Sequence, residues 1–352
     1  MVIARNTRSQ TGALAASFSL TALALGLATT AAAQGRYAAY VMDAQTNEVL
    51  HADQANAVRF PASLTKVMTL FLLFDAIDAG EITLDTAMPV SKAAALQPRM
   101  KLGVRRTDVL RVDDAIRALV TRSANDAAVV VAERLAGSEA AFAQRMTAKA
   151  QKLGMRNTRF MNASGLPNAA QRTTAHDMAL LGQALIKNHP QYYEYFKITG
   201  MSWRTSWIRN HNNLLGRVTG VDGIKTGYIN ASGFNLLSSV ERDGKRLIAV
   251  VMGGESAGAR DAQMAHIIEG AYEEVNRRLG PAQAMYVSLP VTRVSVAIDP
   301  EGEEGPGAIT TQTAPADRIT YTAPAPSFAP ASVAPAAVAT PSTVRDQGAG
   351  AP

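Results

Sequence analysis

Three short stretches of this sequence hold hydroxyls, amines and an amide that could make and break an acyl bond. The first runs Phe60-Pro61-Ala62-Ser63-Leu64-Thr65-Lys66 and continues to Phe74 with Lys66 as its only charge. A stretch apolar on all sides is a buried helix, and Pro61 favours its start. Ser63 then falls in the first turn, with Lys66 one turn later on the same face. Burial disfavours the ammonium form and lowers a lysine's pKa. A neutral amine beside a hydroxyl is a general base beside a nucleophile. The backbone N–H groups of a helix start can stabilise an oxyanion. The same letters also fit a plain capping serine and a lysine reaching for solvent.

The other two stretches say little singly. Ser123-Ala124-Asn125 precedes an apolar helix near Ala127 and alone reads as an N-cap. Lys225-Thr226-Gly227 follows Gly223 just before a hairpin pattern and alone reads as a turn with an exposed lysine. Composition removes competing chemistries. With no cysteine there is no thiolate nucleophile, Cys-ligated zinc, disulfide or acylated lipoprotein cysteine. The five histidines (His51, His176, His189, His211, His266) show no paired metal-ligand spacing. No metal and no cofactor is expected.

Positioning these residues calls for a mixed α/β fold. Tyr37 to Asp43 with Glu48 to His51, and Phe234 to Glu241 with Arg246 to Met252, are hairpin patterns. Between them lie helical patterns at Leu64–Ala79, Val112–Val120, Ala127–Leu135, Glu139–Leu153 and Ala175–Lys187. Strands at both ends predict an antiparallel sheet flanked by helices, with an inserted all-helical lobe and a cleft between the two.

The termini differ from this core. Arg5 and Arg8, the apolar stretch Leu14 to Ala28 and Ala31-Ala32-Ala33 form a signal-peptide pattern, so residues 1–33 are expected to be removed on export. From Pro300 onward lie nine of the sixteen prolines, and residues 286–352 are expected to be a short extended segment and a disordered tail. That leaves 34–285 as the folded domain. The tail is acidic, so the core is more basic than the net charge of +6, yet no basic cluster suggests nucleic acid.

Together and in this order, S-x-x-K, S-x-N and K-T-G are the signature of active-site serine penicillin-recognising enzymes. The chain from about Tyr37 to Met285 resembles the low-molecular-mass D-alanyl-D-alanine carboxypeptidases, including Arg122-Ser-Ala-Asn-Asp126, Val221-Asp-Gly-Ile-Lys-Thr-Gly227 and Val251-Met-Gly-Gly254. The resemblance implies the serine β-lactamase/penicillin-binding transpeptidase-like fold. It makes Ser63 the acyl-accepting nucleophile and Lys66 its base, with Ser123 and Asn125 relaying protons and holding the substrate amide. Lys225, Thr226 and Gly227, with Arg260 on the following helix, would bind the terminal carboxylate. The N–H groups of Ser63 and Tyr228 would form the oxyanion hole. The implied substrate is the peptidoglycan stem peptide and the implied inhibitors are β-lactams, which places the protein in the periplasm or at the cell wall.

Some features depart from the family pattern. Tyr228 stands where many relatives carry histidine. The tail after about Arg293 is too short and proline-rich for both a β-rich second domain and an amphipathic anchor, so membrane attachment is not expected. No Asp or Glu occurs from Ala140 to His176, where a deacylating carboxylate is sought, which argues for inhibition by β-lactams over their hydrolysis. A D,D-endopeptidase and a non-catalytic wall-binding protein are the alternatives. Gly254-Glu255-Ser256-Ala257-Gly258 matches a nucleophile elbow, but only His266 follows it, ten residues on.

Overall fold

The computed structural model describes residues 35–279; the expected signal peptide, the proline-rich tail and residues 280–285 lie outside the described residues. In chain order come β1 (Ala38–Asp43), β2 (Val49–Asp53), α1 (Thr65–Asp78) and β3 (Ala87–Pro89). They are followed by α2 (Lys92–Ala95), β4 (Val109–Arg111), α3 (Val112–Thr121), α4 (Asn125–Ala136), α5 (Glu139–Lys152) and α6 (Ala175–Asn188). Then come β5 (Gly200–Trp203), β6 (Ser206–Arg209), β7 (Val221–Ile229), β8 (Gly233–Arg242), β9 (Lys245–Gly254) and α7 (Ala257–Leu279).

Five strands form one antiparallel sheet in the order β2-β1-β9-β8-β7. The first strand therefore lies beside the last, which closes the sheet with both ends of the domain. Side chains alternate across it. In β9, Ile248, Val250 and Met252 enter a core shared with α1, α3, α4 and α6, while Leu247, Ala249 and Val251 meet Met264, Ile268 and Ala271 of α7. The sheet is covered on both faces by helices, and the helices inserted between β2 and β7 form the expected lobe.

Both expected hairpins are present, and their turns follow from local chemistry. Asp43 accepts the N–H groups of Gln45 and Thr46 at 2.7 and 2.9 Å, an Asx turn. Asp243 and Gly244 take φ of 49° and 74°, the paired positive values of a type I′ turn, whose twist matches that of the strands.

The structure corrects the expectation for Lys225-Thr226-Gly227. These residues lie inside β7, an edge strand, and Lys225 is 1% exposed. Two glycines and three charged or polar residues (Asp222, Lys225, Thr226) within nine weaken the strand signal. The short pairs β3–β4 and β5–β6 also carried no usable pattern.

Candidate active site

Ser63 sits in a tight 3₁₀ turn, Ala62–Leu64, that leads directly into α1. Asn235 of β8 ties this turn to the sheet: its Nδ2 donates to the carbonyls of Phe60 and Pro61 at 3.0 and 3.3 Å. Lys66 is fully buried. Its Nζ donates to Asn125 Oδ1 at 2.8 Å and to the Ser164 carbonyl at 2.5 Å, and lies 3.3 Å from Ser63 Oγ. Burial first, and the charge of Lys225 second, hold its pKa well below the ordinary lysine value, against the opposing pull of Asp126 and Glu139. Its partner Ser164 belongs to the loop between α5 and α6, which sequence reasoning did not single out.

The second stretch behaves differently from an N-cap. Ala124 occupies the cap position of α4 and makes no side-chain capping bond. Ser123 adopts φ +57°, and its Oγ is buried without a hydrogen-bond partner. An unsatisfied buried hydroxyl is costly, so it is a group kept ready for something else. Asn125 is engaged at both ends: Oδ1 holds Lys66, and Nδ2 donates to the carbonyls of Pro98 and Arg99 at 3.2 and 3.1 Å. Asp126 accepts the N–H groups of Leu102, Gly103 and Val104. The Pro98–Val104 part of the loop between α2 and β4 is thus fastened to Asn125 and Asp126.

β7 brings the third stretch against the nucleophile. A Cβ at Gly227 would lie 3.0 Å from Ser63 N and 3.1 Å from Leu64 N, so only glycine lets the strand pass this close. Lys225 Nζ donates to the Thr226 carbonyl at 3.0 Å. Its pKa is lowered to about 7, chiefly by burial and then by Arg260. Arg260 on α7 is buried; Nε and Nη2 donate to Asp261 Oδ1 at 2.9 and 2.6 Å, and Nη1 donates to the Asn235 carbonyl at 3.4 Å. Asn213 Nδ2 donates to the other oxygen of Asp261 at 3.3 Å. His211, two residues earlier, has its pKa lowered to about 4 by burial and then by Lys225, Arg122, Arg260 and Lys66, which marks it as a neighbour of the same cations. Tyr228 is 49% exposed; it packs on Phe234 with ring centroids 4.2 Å apart and donates to Asn230 Oδ1.

Lys66 of α1 and Gly227 of β7 lie against Ser63, Asn125 joins them through Lys66, and Arg260 of α7 is linked to the Ser63 turn through Asn235. Lys225, Thr226 and Tyr228 flank Gly227 on β7, and Ser123 precedes Asn125 by two residues. Ser164, Asp261, Asn235, Glu139 and His211 were missed. They are linked to the site through backbone groups, through a second side chain or, for His211, through charge alone, and such links leave no spacing to detect. Ser256 is a helix cap: its Oγ accepts the Ala259 N–H at 3.0 Å, and His266 lies farther along the same helix. Among the described residues no group of three or more His, Asp or Glu could hold a metal ion.

One glycine gives a direct test of how the loop fits. Gly165 has φ +84°, and a Cβ there would sit 1.8 Å from the Ala62 carbonyl oxygen. Gly165→Ala is expected to displace the Ser63 turn, costing about 1–3 kcal/mol in strain and lowering Tm by several degrees on thermal unfolding. An unchanged Tm would show that the loop yields freely.

A serine and a buried lysine on one helix, an S-x-N segment and a K-T-G edge strand on an antiparallel sheet define the active-site serine penicillin-recognising class. The family model of D-alanyl-D-alanine carboxypeptidases, peptidase family S11, matches residues 28–256, and the chain belongs to that family. It is 36% identical over 230 residues to D-alanyl-D-alanine carboxypeptidase DacD of Escherichia coli (strain K12), covering 63% of this chain and 59% of that protein. It is 32% identical over 252 residues to the D-alanyl-D-alanine endopeptidase of the same strain, covering 68% of this chain and 79% of that protein. The solved structure of penicillin-binding protein D2 from Listeria monocytogenes with ampicillin bound is similar with a TM-score of 0.62 and 32% identity, covering 68% of this chain and 97% of that one.

Proposed function

We propose that the protein is a serine-type D-Ala-D-Ala carboxypeptidase, removing the terminal D-alanine of peptidoglycan pentapeptides through an acyl-enzyme on Ser63. The observation that carries this reading is the wiring of Lys66. A neutral amine has two N–H groups and one lone pair. Asn125 Oδ1 and the Ser164 carbonyl take the two N–H groups, which leaves the lone pair for the Ser63 hydroxyl 3.3 Å away.

The steps follow from that arrangement. Ser63 Oγ bonds to the carbonyl carbon of the penultimate D-alanine while its proton passes to Lys66 Nζ. The N–H groups of Ser63 and Tyr228 stabilise the oxyanion. As the C–N bond breaks, the proton moves through the free Ser123 hydroxyl to the departing amine. Water then attacks the ester, gives its proton to Lys66, and Ser63 Oγ leaves and recovers a proton. Asn125 orients the lysine. Lys225, Thr226 and Arg260 hold the substrate's terminal carboxylate.

β-Lactams would acylate Ser63 and stay bound as inhibitors, in keeping with the lack of Asp and Glu from Ala140 to His176. Residues 1–33 serve export in this proposal, 34–285 form the catalytic domain, and the enzyme acts in the periplasm or at the wall. No helix among the described residues is long and apolar enough to cross a membrane.

The similarity to an endopeptidase keeps cross-link cleavage as the second reading. Mass analysis with a pentapeptide and with a cross-linked dimer separates the two. Loss of one D-alanine from the first, with the second intact, supports the carboxypeptidase; cleavage of the dimer supports the alternative. Absence of a penicillin adduct on Ser63 would sink both and favour a non-catalytic wall-binding protein.

Arg260 supplies a finer check. A charge-assisted contact is worth about 1.5–3 kcal/mol, so Arg260→Ala is expected to cut kcat/KM on the free acid by roughly 10- to 150-fold. On substrate with an amidated terminus the loss should be small. Equal losses on both would make Arg260 a structural residue only.

A further inference from the structure

The loop between α5 and α6 supplies the Ser164 carbonyl to Lys66, and the position of this acceptor decides where the amine's lone pair points. Three successive backbone groups of that loop are pinned. Glu139 Oε1 accepts the Ala163 N–H at 3.0 Å. Thr69 Oγ1 donates to the Ala163 carbonyl at 2.7 Å. Lys66 Nζ donates to the Ser164 carbonyl. Thr69 and Lys66 lie three residues apart on α1, so they grip the loop from one side while Glu139 grips it from the other. We infer that Glu139 is a positioning residue for the general base: its carboxylate fixes the Ala163–Ser164 backbone so that Lys66 presents its lone pair to Ser63.

A carboxylate at the first residue of a helix has an ordinary use, which is to complement the helix dipole. Two observations exceed that use at Glu139. The capping of α5 is already done by Ser138, whose Oγ accepts the Ala141 N–H at 3.2 Å. Glu139 instead reaches a loop 24 residues away. Glu139 and Asp177 flank the stretch where no acidic residue occurs; Asp177 holds the loop's start through Asn157 and Thr158, and Glu139 holds the part that reaches Lys66.

The charge of Glu139 acts on the lysine as well. Lys66 faces Lys225 from β7, which lowers its pKa, and Asp126 from α4 and Glu139 from α5, which raise it. His211 also feels the charge of Lys66. Glu139 in turn is raised mainly by burial, is bonded to Ala163, and faces Glu133, which raises it, and Lys66, which lowers it. Removing the negative charge of Glu139 therefore makes Lys66 easier to deprotonate. The acid limb of Ser63 acylation, which follows loss of the Lys66 proton, must then move to lower pH.

The inference rests on Ser63 being acylated, and the test keeps the two apart. The rate of labelling by a fluorescent penicillin is measured against pH for the full chain, for Glu139→Gln and for Glu139→Ala. Glutamine keeps an oxygen acceptor for the Ala163 N–H and loses the charge. It is expected to hold its plateau rate within about threefold while its acid limb shifts to lower pH. Alanine loses the acceptor too, and its plateau is expected to fall by roughly tenfold or more. A folded Glu139→Ala protein that keeps the wild-type plateau, or a Glu139→Gln protein whose plateau falls as far as that of alanine, overturns the inference. A wild type that takes no label at all sinks the acylation reading, and this inference with it.

Discussion

Lys66→Arg is expected to fold and to lose acylation of Ser63 by a factor of about 10²–10⁴, the range that a positioned general base supplies. The guanidinium stays protonated at every accessible pH, so it has no lone pair to offer the Ser63 hydroxyl. In the wild type, burial and Lys225 depress the Lys66 pKa, so the neutral fraction grows as pH rises through the depressed value. Acylation should rise along the same limb and then level off. The arginine variant should show no such limb, because it has no group to deprotonate there. Labelling by a fluorescent penicillin measures the rate, and thermal unfolding confirms that the variant is folded. A folded Lys66→Arg protein that labels at the wild-type rate would remove the lysine from the role of base and reopen how Ser63 loses its proton.

The sequence made the proposed general base legible for a definite reason. Between Phe60 and Phe74 the single charge stands out against an apolar helix, and burial of that charge follows from its neighbours. The two hairpins were equally plain, because β1 and β9 lie inside the sheet, hidden on both faces, and are apolar almost throughout. β7 was not, since a strand that passes close to Ser63 carries Gly227 and also holds the buried Lys225, proposed here to meet an anion, and neither residue signals a strand. Ser123 was misleading in its own way. Its letters suit an N-cap, whereas it lies one residue before the cap, takes a left-handed backbone and keeps its hydroxyl unpaired. Such conflicts between local preference and observed structure are expected where function is served. The loop carbonyl of Ser164 had no signal at all, because any residue has a carbonyl; what places it is the fold around Glu139, Thr69 and Gly165.

Lys225→Met is expected to stabilise the protein in acid while abolishing recognition of the substrate's carboxylate. Lys225 is 1% exposed and shares its surroundings with Arg260. In the unfolded chain its amine keeps its proton up to about pH 10.5, and in the folded chain it releases it at about 7. Between those values the unfolded state binds more protons, so stability rises with pH across this window. Below about pH 7 the folded protein carries the full cost of a buried ammonium, on the order of several kcal/mol. Methionine fills a similar space without a charge. The variant should therefore unfold at higher temperature than the wild type at pH 6, with the gap narrowing by pH 9. A wild type more stable than Lys225→Met at pH 6 would show that the buried cation is already compensated within the fold. In the proposed complex a substrate carboxylate would do what the protein leaves undone: it would pair with the ammonium, raise its pKa, and draw a proton onto Lys225 on binding above pH 7. The instability built into this corner of the cleft is then the counterpart of its affinity for an anion, since a cation fully satisfied by the fold would have less to gain from the substrate.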